Sequence, residues 1–393
     1  MSKKALVSVI IPTYNRKTYV QEAIDSALEQ TYPHREIIVV DDGSTDGTGP
    51  LLKSKYGDYI QYYYQNNRGE AAARNRGVLR SKGNYIAFLD SDDVWMPAKL
   101  EKQIDLLETR PEFGLVSCHV LVIDETGKFI HETPLRPEQT TEDIPLETLV
   151  LNNPIYPGST ILIKRDCFLA IDGFDESIRY GEDRDLILRI AANNKAGFVL
   201  EPLAALRDHK DKQSRILLPE EELRRRTAER LRMIRRAFPL FEGDEQWLAS
   251  LKSRALAREH VHESFIGFLY DDPSLGASRL ALGVSLDPTT WRDGEMIADL
   301  VSEYSAIISQ DWNLTQALDF VDGVYSHLPD SLQFWQKKYH SKILSNTHIT
   351  YAFLQYKRGE KQLVGANVLK GVLNDPGWLS NRGVWSIFIR SAF

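Results

Sequence analysis

Along the first half of the chain, short apolar runs alternate with segments whose apolar residues recur every three or four positions. VSVIIP, starting at Val7, is a continuous apolar run, the pattern of a strand buried on both faces. Over residues 17–30, Val20, Ala23, Ile24, Ala27 and Leu28 keep helical spacing, and Pro33 ends the stretch. REIIVVDDGS predicts a second strand, residues 45–56 a helix, and YIQYYYQ a third strand. GEAAARNRGVLRSKG predicts a helix closed by Gly83, and NYIAFLDSDD a fourth strand. Residues 97–109 read as a helix with proline at its start, and FGLVSCHVLVID as another strand. This alternation predicts an α/β fold with a parallel, doubly wound sheet.

After about residue 212 the pattern becomes helical. In EEELRRRTAERLRMIRRAF, Leu223, Thr227, Leu231, Ile234 and Phe238 form a stripe at intervals of 4, 4, 3 and 4. The other faces carry Arg224, Arg225, Arg226, Arg230, Arg232, Arg235 and Arg236. They suit either an anionic membrane surface or phosphorylated lipid, or a solvated face whose arginines pair with nearby acids. GVSLDP at Gly283, GVYSHLP at Gly323 and GVLNDP at Gly371 share a form, each read as a helix end followed by a proline stop. Their uneven spacing leaves two readings of an all-α domain: tetratricopeptide-like helical-hairpin repeats that present a surface to a protein partner, or one irregular helical domain. The expected domains are 1–215 and 216–393.

Composition narrows the class. The chain has 393 residues, 26% charged and 42% hydrophobic, which is ordinary globular material. A net charge of −7 argues against a general nucleic-acid binder. Cys118 and Cys167 make neither a disulfide framework nor a metal-ligand spacing, so a reducing compartment is expected. The N-terminal apolar run is β-branched and stops at Pro12, so it reads as a strand and not as a signal peptide. No stretch of about 18 apolar residues predicts a membrane helix. The expected location is cytoplasmic, with a peripheral position at the inner face of the membrane left open by the arginine-rich helix.

In open α/β sheets ligands bind outside the carboxyl ends of the strands. Three segments bring polar residues to that edge: Thr13, Tyr14 and Asn15; Asp41 and Asp42; and Asp90, Ser91, Asp92 and Asp93. No GxGxxG or GxxxxGK[ST] follows the first strand, so dinucleotide and P-loop readings are unsupported. Carboxylates packed at one edge repel one another unless a cation joins them, and oxygen ligands of this kind suit Mg2+ or Mn2+ shared with phosphates. Helix capping or a solvated acidic loop are the alternatives.

VSVIIPTYNR, EIIVVDDGSTDGT, NNRGEAAARNRG, NYIAFLDSDD, GFDES and GEDRDLILRIA, in this order over residues 6–215, resemble the inverting glycosyltransferase family 2 with its GT-A fold. The resemblance implies that Thr13 and Tyr14 meet the nucleotide base. Asp42 accepts a hydrogen bond from a uracil-type N–H, and Arg74 lies near base and phosphates. Asp90 and Asp92 form a DxD pair serving the metal, with Asp90 and Ser91 at the bound nucleotide. Asp183 is the catalytic base, with Glu182 beside it as the alternative, and His209 is a further metal ligand or phosphate contact. Glu182 and Asp183, being adjacent, are expected to point about 100° apart on a helix. Asp42 has a capping alternative, Arg74 a surface ion pair with Glu70, and Trp95 either stacking on a sugar or packing. Gly158-Ser159 and Gly173-Phe174 are candidate walls of the sugar site.

The expected function is transfer of a sugar from a nucleotide-diphosphate donor, a UDP-sugar first, to a saccharide, lipid-linked or protein acceptor. Mn2+ or Mg2+ is the expected cofactor. A nucleotidyl transferase would want a Gly-rich phosphate loop that IPTYNRKTY lacks. A non-catalytic sugar-nucleotide or protein-binding scaffold has no need of Asp90, Asp92 and Asp183 together.

Overall fold

The structure is a computed structural model that describes residues 5–133, 141–152, 154–155, 158–209, 218–291, 294–311 and 314–392. Lys3, Lys4, residues 210–217 and with them the expected boundary at 215/216 lie outside the described residues. The chain divides into two compact units, Met1–Gln213 with Arg232–Leu248, and Ser214–Leu231 with Ala249–Phe393.

The first unit opens with β1 (Val7–Thr13), α1 (Tyr19–Leu28), β2 (Arg35–Asp41), α2 (Thr48–Tyr56), β3 (Gln61–Tyr64), α3 (Glu70–Arg80) and β4 (Tyr85–Phe88). It continues through β5 (Val94–Trp95), α4 (Lys99–Thr109), β6 (Phe113–Ile123), β7 (Phe129–Glu132), β8 (Asp143–Ile144), α5 (Leu146–Leu151), β9 (Leu162–Lys164), α6 (Arg165–Ala170), α7 (Glu182–Ala191) and β10 (Lys195–Arg207). All seven residues of β1 are buried, as expected of a strand covered on both faces. On one face α1 packs Val20, Ala23, Ile24 and Ala27. α3 lies so close to β1 that a Cβ on Gly77 would come within 2.3 Å of Ile10 Cγ2.

The sheet order is β3-β2-β1-β4-β9-β6-β10-β5. β3, β2, β1 and β4 run parallel, so Thr13, Asp41 and the residues after Phe88 share one edge. The sheet as a whole is mixed, which corrects the expectation of an all-parallel one. β9 runs antiparallel to both β4 and β6. This three-residue strand leads straight into α6 and fills the gap between the two halves without a crossover helix of its own. Two reversals restore the direction, so β6 and β10, parallel to each other, end at the same edge as β4. Gly83 does not close α3, which stops at Arg80. It is glycine because its backbone touches β1: a Cβ there would lie 2.5 Å from Ser8 Oγ and 2.6 Å from Ser8 N.

The second half consists of α8 (Glu220–Ala237), α9 (Glu245–Leu269), α10 (Pro273–Leu286), α11 (Pro288–Trp291), α12 (Glu295–Asp311), α13 (Leu314–Ser326), α14 (Gln333–Arg358), α15 (Lys361–Asn374) and α16 (Arg382–Ala392). On α8, Thr227, Leu231, Ile234 and the following Phe238 are buried, as the stripe requires. Arg224, Arg225 and Arg226 pair with Glu220 or Glu222, Arg230 with Glu259, and Arg236 with Asp175. No helix among the described residues is long and apolar enough to cross a membrane.

Each GV motif forms the last turn of its helix, α10, α13 or α15, with a proline two or three residues beyond the end, as expected. Gly283 of α10 packs on Ala257 and Val261 of α9, and Gly371 of α15 packs on Ser345 and Ile349 of α14. The two glycines thus meet residues 26 and 22 positions upstream in both hairpins, which shows the same close packing used twice. Gly323 does not share it; its nearest neighbour is Phe268 at 3.5 Å.

Replacing Gly283 by alanine would put Cβ 2.9 Å from the Ala257 carbonyl oxygen, whereas at Gly371 the close atoms are the movable tip of Ile349 at 2.6 Å. Overpacking costs about 1–3 kcal/mol, against roughly 1 kcal/mol gained in helix propensity. Gly283→Ala is therefore expected to lower stability by about 1–2 kcal/mol and Gly371→Ala by less, as measured by urea unfolding monitored by helical circular dichroism.

Candidate active site

In the helix α3, Ala71, Ala72, Ala73, Arg74, Gly77 and Val78 are buried. Five of these are small or apolar; the sixth carries a guanidinium. Arg74 is 1% exposed. A buried guanidinium cannot shed its charge, so its donors must meet acceptors. Nη2 donates to Asp90 Oδ1 at 2.8 Å, and Nη1 to Glu182 Oε1 at 3.1 Å and Asp183 Oδ1 at 3.5 Å. Glu70, mostly exposed, lies 3.6 Å from Nη2. Its ring-side neighbour is Phe174, with the guanidinium carbon 5.4 Å from the ring centre. Arg74 is thus the centre of the acidic cluster, and the ion pair with Glu70 is its longest contact.

Glu182 and Asp183 occupy the first turn of α7, where the helix dipole favours acids. Their adjacency was expected to turn them apart, yet both reach the same Nη1. Side-chain length lets two neighbours on a helix converge on one donor. Burial, together with the negative charges of Glu182, Asp90 and Glu70, pushes the Asp183 carboxyl well above its ordinary range against the pull of Arg74.

The DSDD turn divides its work. Asp90 meets Arg74, and a Cβ on Gly158 would fall 2.3 Å from Asp90 Oδ2. Asp92 Oδ2 lies 2.8 Å from His209 Nε2. The His209 ring is buried and its Nδ1 has no hydrogen-bond partner. Ser91 is buried between them. Asp93 takes a structural position: it accepts from Ser159 Oγ at 2.6 Å and from the Arg207 N–H at 3.0 Å. Fully buried Arg207 also donates to the Asp92 carbonyl (2.8 Å) and to Glu22 Oε2 (2.5 Å). Asp93 and Arg207 were missed by sequence reasoning, since nothing in DSDD or LRDH ranks one acid or arginine above its neighbour. Asn75 was missed too; it exchanges hydrogen bonds with both backbone groups of Phe174 (2.9 and 3.0 Å) and so fixes the GFD turn.

At the other end of the edge, Tyr14 is 49% exposed and Thr13 is buried with Oγ1 unpartnered. Asp42 does not cap α2. Its Oδ1 accepts from Gln65 Nε2 (2.7 Å) and the Arg68 N–H (2.9 Å), and its Oδ2 from the Gly69 N–H (2.8 Å). Three of roughly four lone-pair sites are used. Trp95 packs: it is 2% exposed, with Nε1 bonded to the Ser159 carbonyl.

Among the described residues no three His, Cys, Asp or Glu side chains converge as a ready-made metal cage. Mg2+ and Mn2+ shared with phosphates need fewer protein ligands, commonly one or two carboxylates. The donor chemistry fits such an ion. Asp92 and His209 bring two donor atoms within 2.8 Å, and the carboxylates around Arg74 outnumber it, a surplus that a cation would balance.

The family model described as glycosyl transferase family 2 matches residues 8–171. An uncharacterized glycosyltransferase of Rickettsia prowazekii is 34% identical over 281 residues, covering 67% of this chain and 87% of the relative. One of Rickettsia typhi is 38% identical over 205 residues, covering 52% and 64%. The putative teichuronic acid biosynthesis glycosyltransferase TuaG of Bacillus subtilis is 41% identical over 169 residues, covering 42% and 64%. The chain thus spans just under two thirds of the last two and most of the first. Among solved structures, S. aureus TarS 1–349 in complex with UDP-GlcNAc aligns over 90% of this chain and 92% of its own, with a TM-score of 0.53 and 18% identity, a likeness of fold.

Two expectations follow from the charge arrangement. Arg74→Met should cost about 3–5 kcal/mol in denaturant unfolding, because it leaves buried carboxylates without their cation. Asp183→Asn should raise the Tm of metal-free protein at pH 7. The folded-state carboxyl titrates above its unfolded value of about 3.9, so its ionisation costs stability above the raised value and nothing below the unfolded one. The gain should therefore fade as pH falls toward about 4.

Proposed function

The chain belongs to glycosyl transferase family 2, and on that premise we propose that it moves a sugar from a uridine-diphosphate donor to an acceptor hydroxyl with inversion at the anomeric carbon. The observation that carries this reading is the convergence of Asp90, Glu182 and Asp183 on one buried arginine at the carboxyl edge of the sheet. Asp183 serves as the base. An environment that disfavours its ionised form makes it a stronger proton acceptor, with Arg74 opposing that shift. As the acceptor oxygen bonds to the anomeric carbon, its proton passes to Asp183. The bond from that carbon to the diphosphate oxygen breaks on the opposite face, and the electron pair leaves with the nucleoside diphosphate. One displacement inverts the centre. Glu182, the nearer partner of Arg74, holds the guanidinium in place.

The base site rests on three residues. Exposed Tyr14 offers its ring, Thr13 an unpartnered hydroxyl, and Asp42 one remaining lone pair for a uracil N–H. Asp42 also shapes the 65–69 segment that borders the site. Asp92 and His209, with Asp90, would hold Mn2+ or Mg2+, which supplies positive charge for the departing diphosphate. The relative named for teichuronic acid biosynthesis supports a growing saccharide as the acceptor.

A thermal-shift panel of UDP-, GDP-, dTDP- and CDP-sugars tests the donor. A uridine nucleotide should stabilise the protein only with Mn2+, by about 2.7 kcal/mol at 100 times its Kd. Stabilisation by no nucleotide would overturn the reading, and equal stabilisation without Mn2+ would remove the metal. Asp183→Asn should lower transfer at least about 100-fold with nucleotide binding kept; unchanged turnover would exclude it as the base. Asp92→Ala should abolish the Mn2+ dependence of binding.

A further inference from the structure

Asp90 leans on residues 158–160, and those residues are held from behind by a buried cation outside the site. Lys99, in the first turn of α4, is fully buried. Its Nζ lies 4.1 Å from the centre of the Trp95 ring and donates to Gln103 Oε1 at 2.7 Å. Burial pulls its pKa down to about 8, with the buried Cys118 thiol on β6 opposing. A lysine this deep needs a reason, since an apolar side chain of similar volume would pack there without desolvating a charge.

The reason lies in the orientation of Gln103. An amide side chain can be turned either way, with oxygen or NH2 in a given place. An ammonium only donates, so it takes the amide oxygen and forces the NH2 the other way. That NH2 then donates to the Thr160 carbonyl at 2.7 Å and to the Val116 carbonyl at 3.2 Å. Trp95, under the same ammonium, donates Nε1–H to the Ser159 carbonyl at 2.6 Å. Two successive carbonyls of the segment are thus pinned by side chains that Lys99 holds. Ser159 Oγ in turn accepts the Asp90 N–H at 3.1 Å and donates to Asp93. Gly158 is pressed against the Asp90 carboxylate so closely that no side chain fits, and its φ is +66°.

We propose that Lys99 and Gln103 are positioning residues for Asp90: they fix the backbone of residues 158–160, and that segment sets the Asp90 carboxylate toward Arg74 and the donor. The proposal rests on the transferase reading for its functional consequence, but the geometry is testable without a ligand.

The test compares wild type, Lys99→Met and the double variant Lys99→Met/Gln103→Met, each with Asp90 and with Asp90→Asn. The double variant replaces the whole polar pair by apolar groups, a change that cores often tolerate, so it guards against a single variant that fails to fold. The first readout is amide hydrogen exchange over residues 158–162, without ligand. The second is calorimetric binding of UDP with Mn2+. Exchange should speed in both variants, and UDP should bind at least ten-fold more weakly where Asp90 is present. In the Asp90→Asn background that loss should shrink below two-fold, because the pair acts through Asp90. A merely structural role would weaken binding equally in both backgrounds, and that result, or unchanged exchange in the double variant, overturns the proposal. Wild type that binds no UDP but shows faster exchange on substitution would count against the transferase reading alone.

Discussion

A guanidinium removed from water must be matched where it stands, and the first unit is organised around that demand. Arg74 on α3, Asp90 after β4, and Glu182 and Asp183 on α7 are far apart in sequence and meet at one side chain. The attraction is strong because the site is buried, and it is purchased against the desolvation of every group involved. The cluster also carries more negative than positive charge. It is therefore unfavourable for the empty protein and favourable for anything that brings a cation.

The three aspartates of the DSDD turn show how one short segment divides its roles. Asp90 faces Arg74, Asp92 faces His209, and Asp93 is turned inward to Ser159 and Arg207. The inward residue makes the other two dependable. Its hydrogen bonds tie the turn to residues 158–160 on one side and to the end of β10 on the other. β10 reaches this edge because the short antiparallel β9 lets two parallel sets of strands share one sheet.

The helical unit is built on a different constraint, close approach between helices. Gly283 and Gly371 let α10 and α15 press onto α9 and α14 at the same upstream spacing. The arginines of α8 are largely matched by acids of their own unit. Most of the positive charge that stands out in the sequence is thus already answered, which favours a solvated, paired face over one that waits for an anionic surface.

Local pattern alone determined the order of strands and helices through β6 except the two-residue β5, the helical character of the second half, and the edge at which polar residues gather. These follow from periodicity and from the short reach of proline and glycine effects. The motif order over residues 6–215 also pointed to the family. Tertiary structure decided what periodicity cannot carry. The direction of β9 depends on which strands it lies between. The convergence of Glu182 and Asp183 depends on Arg74 being buried opposite them. The inward turn of Asp93, the packing of Trp95 and the close approach at Gly83 depend on partners distant in sequence. In each case the residue type was visible, but the deciding partner was brought near only by the fold.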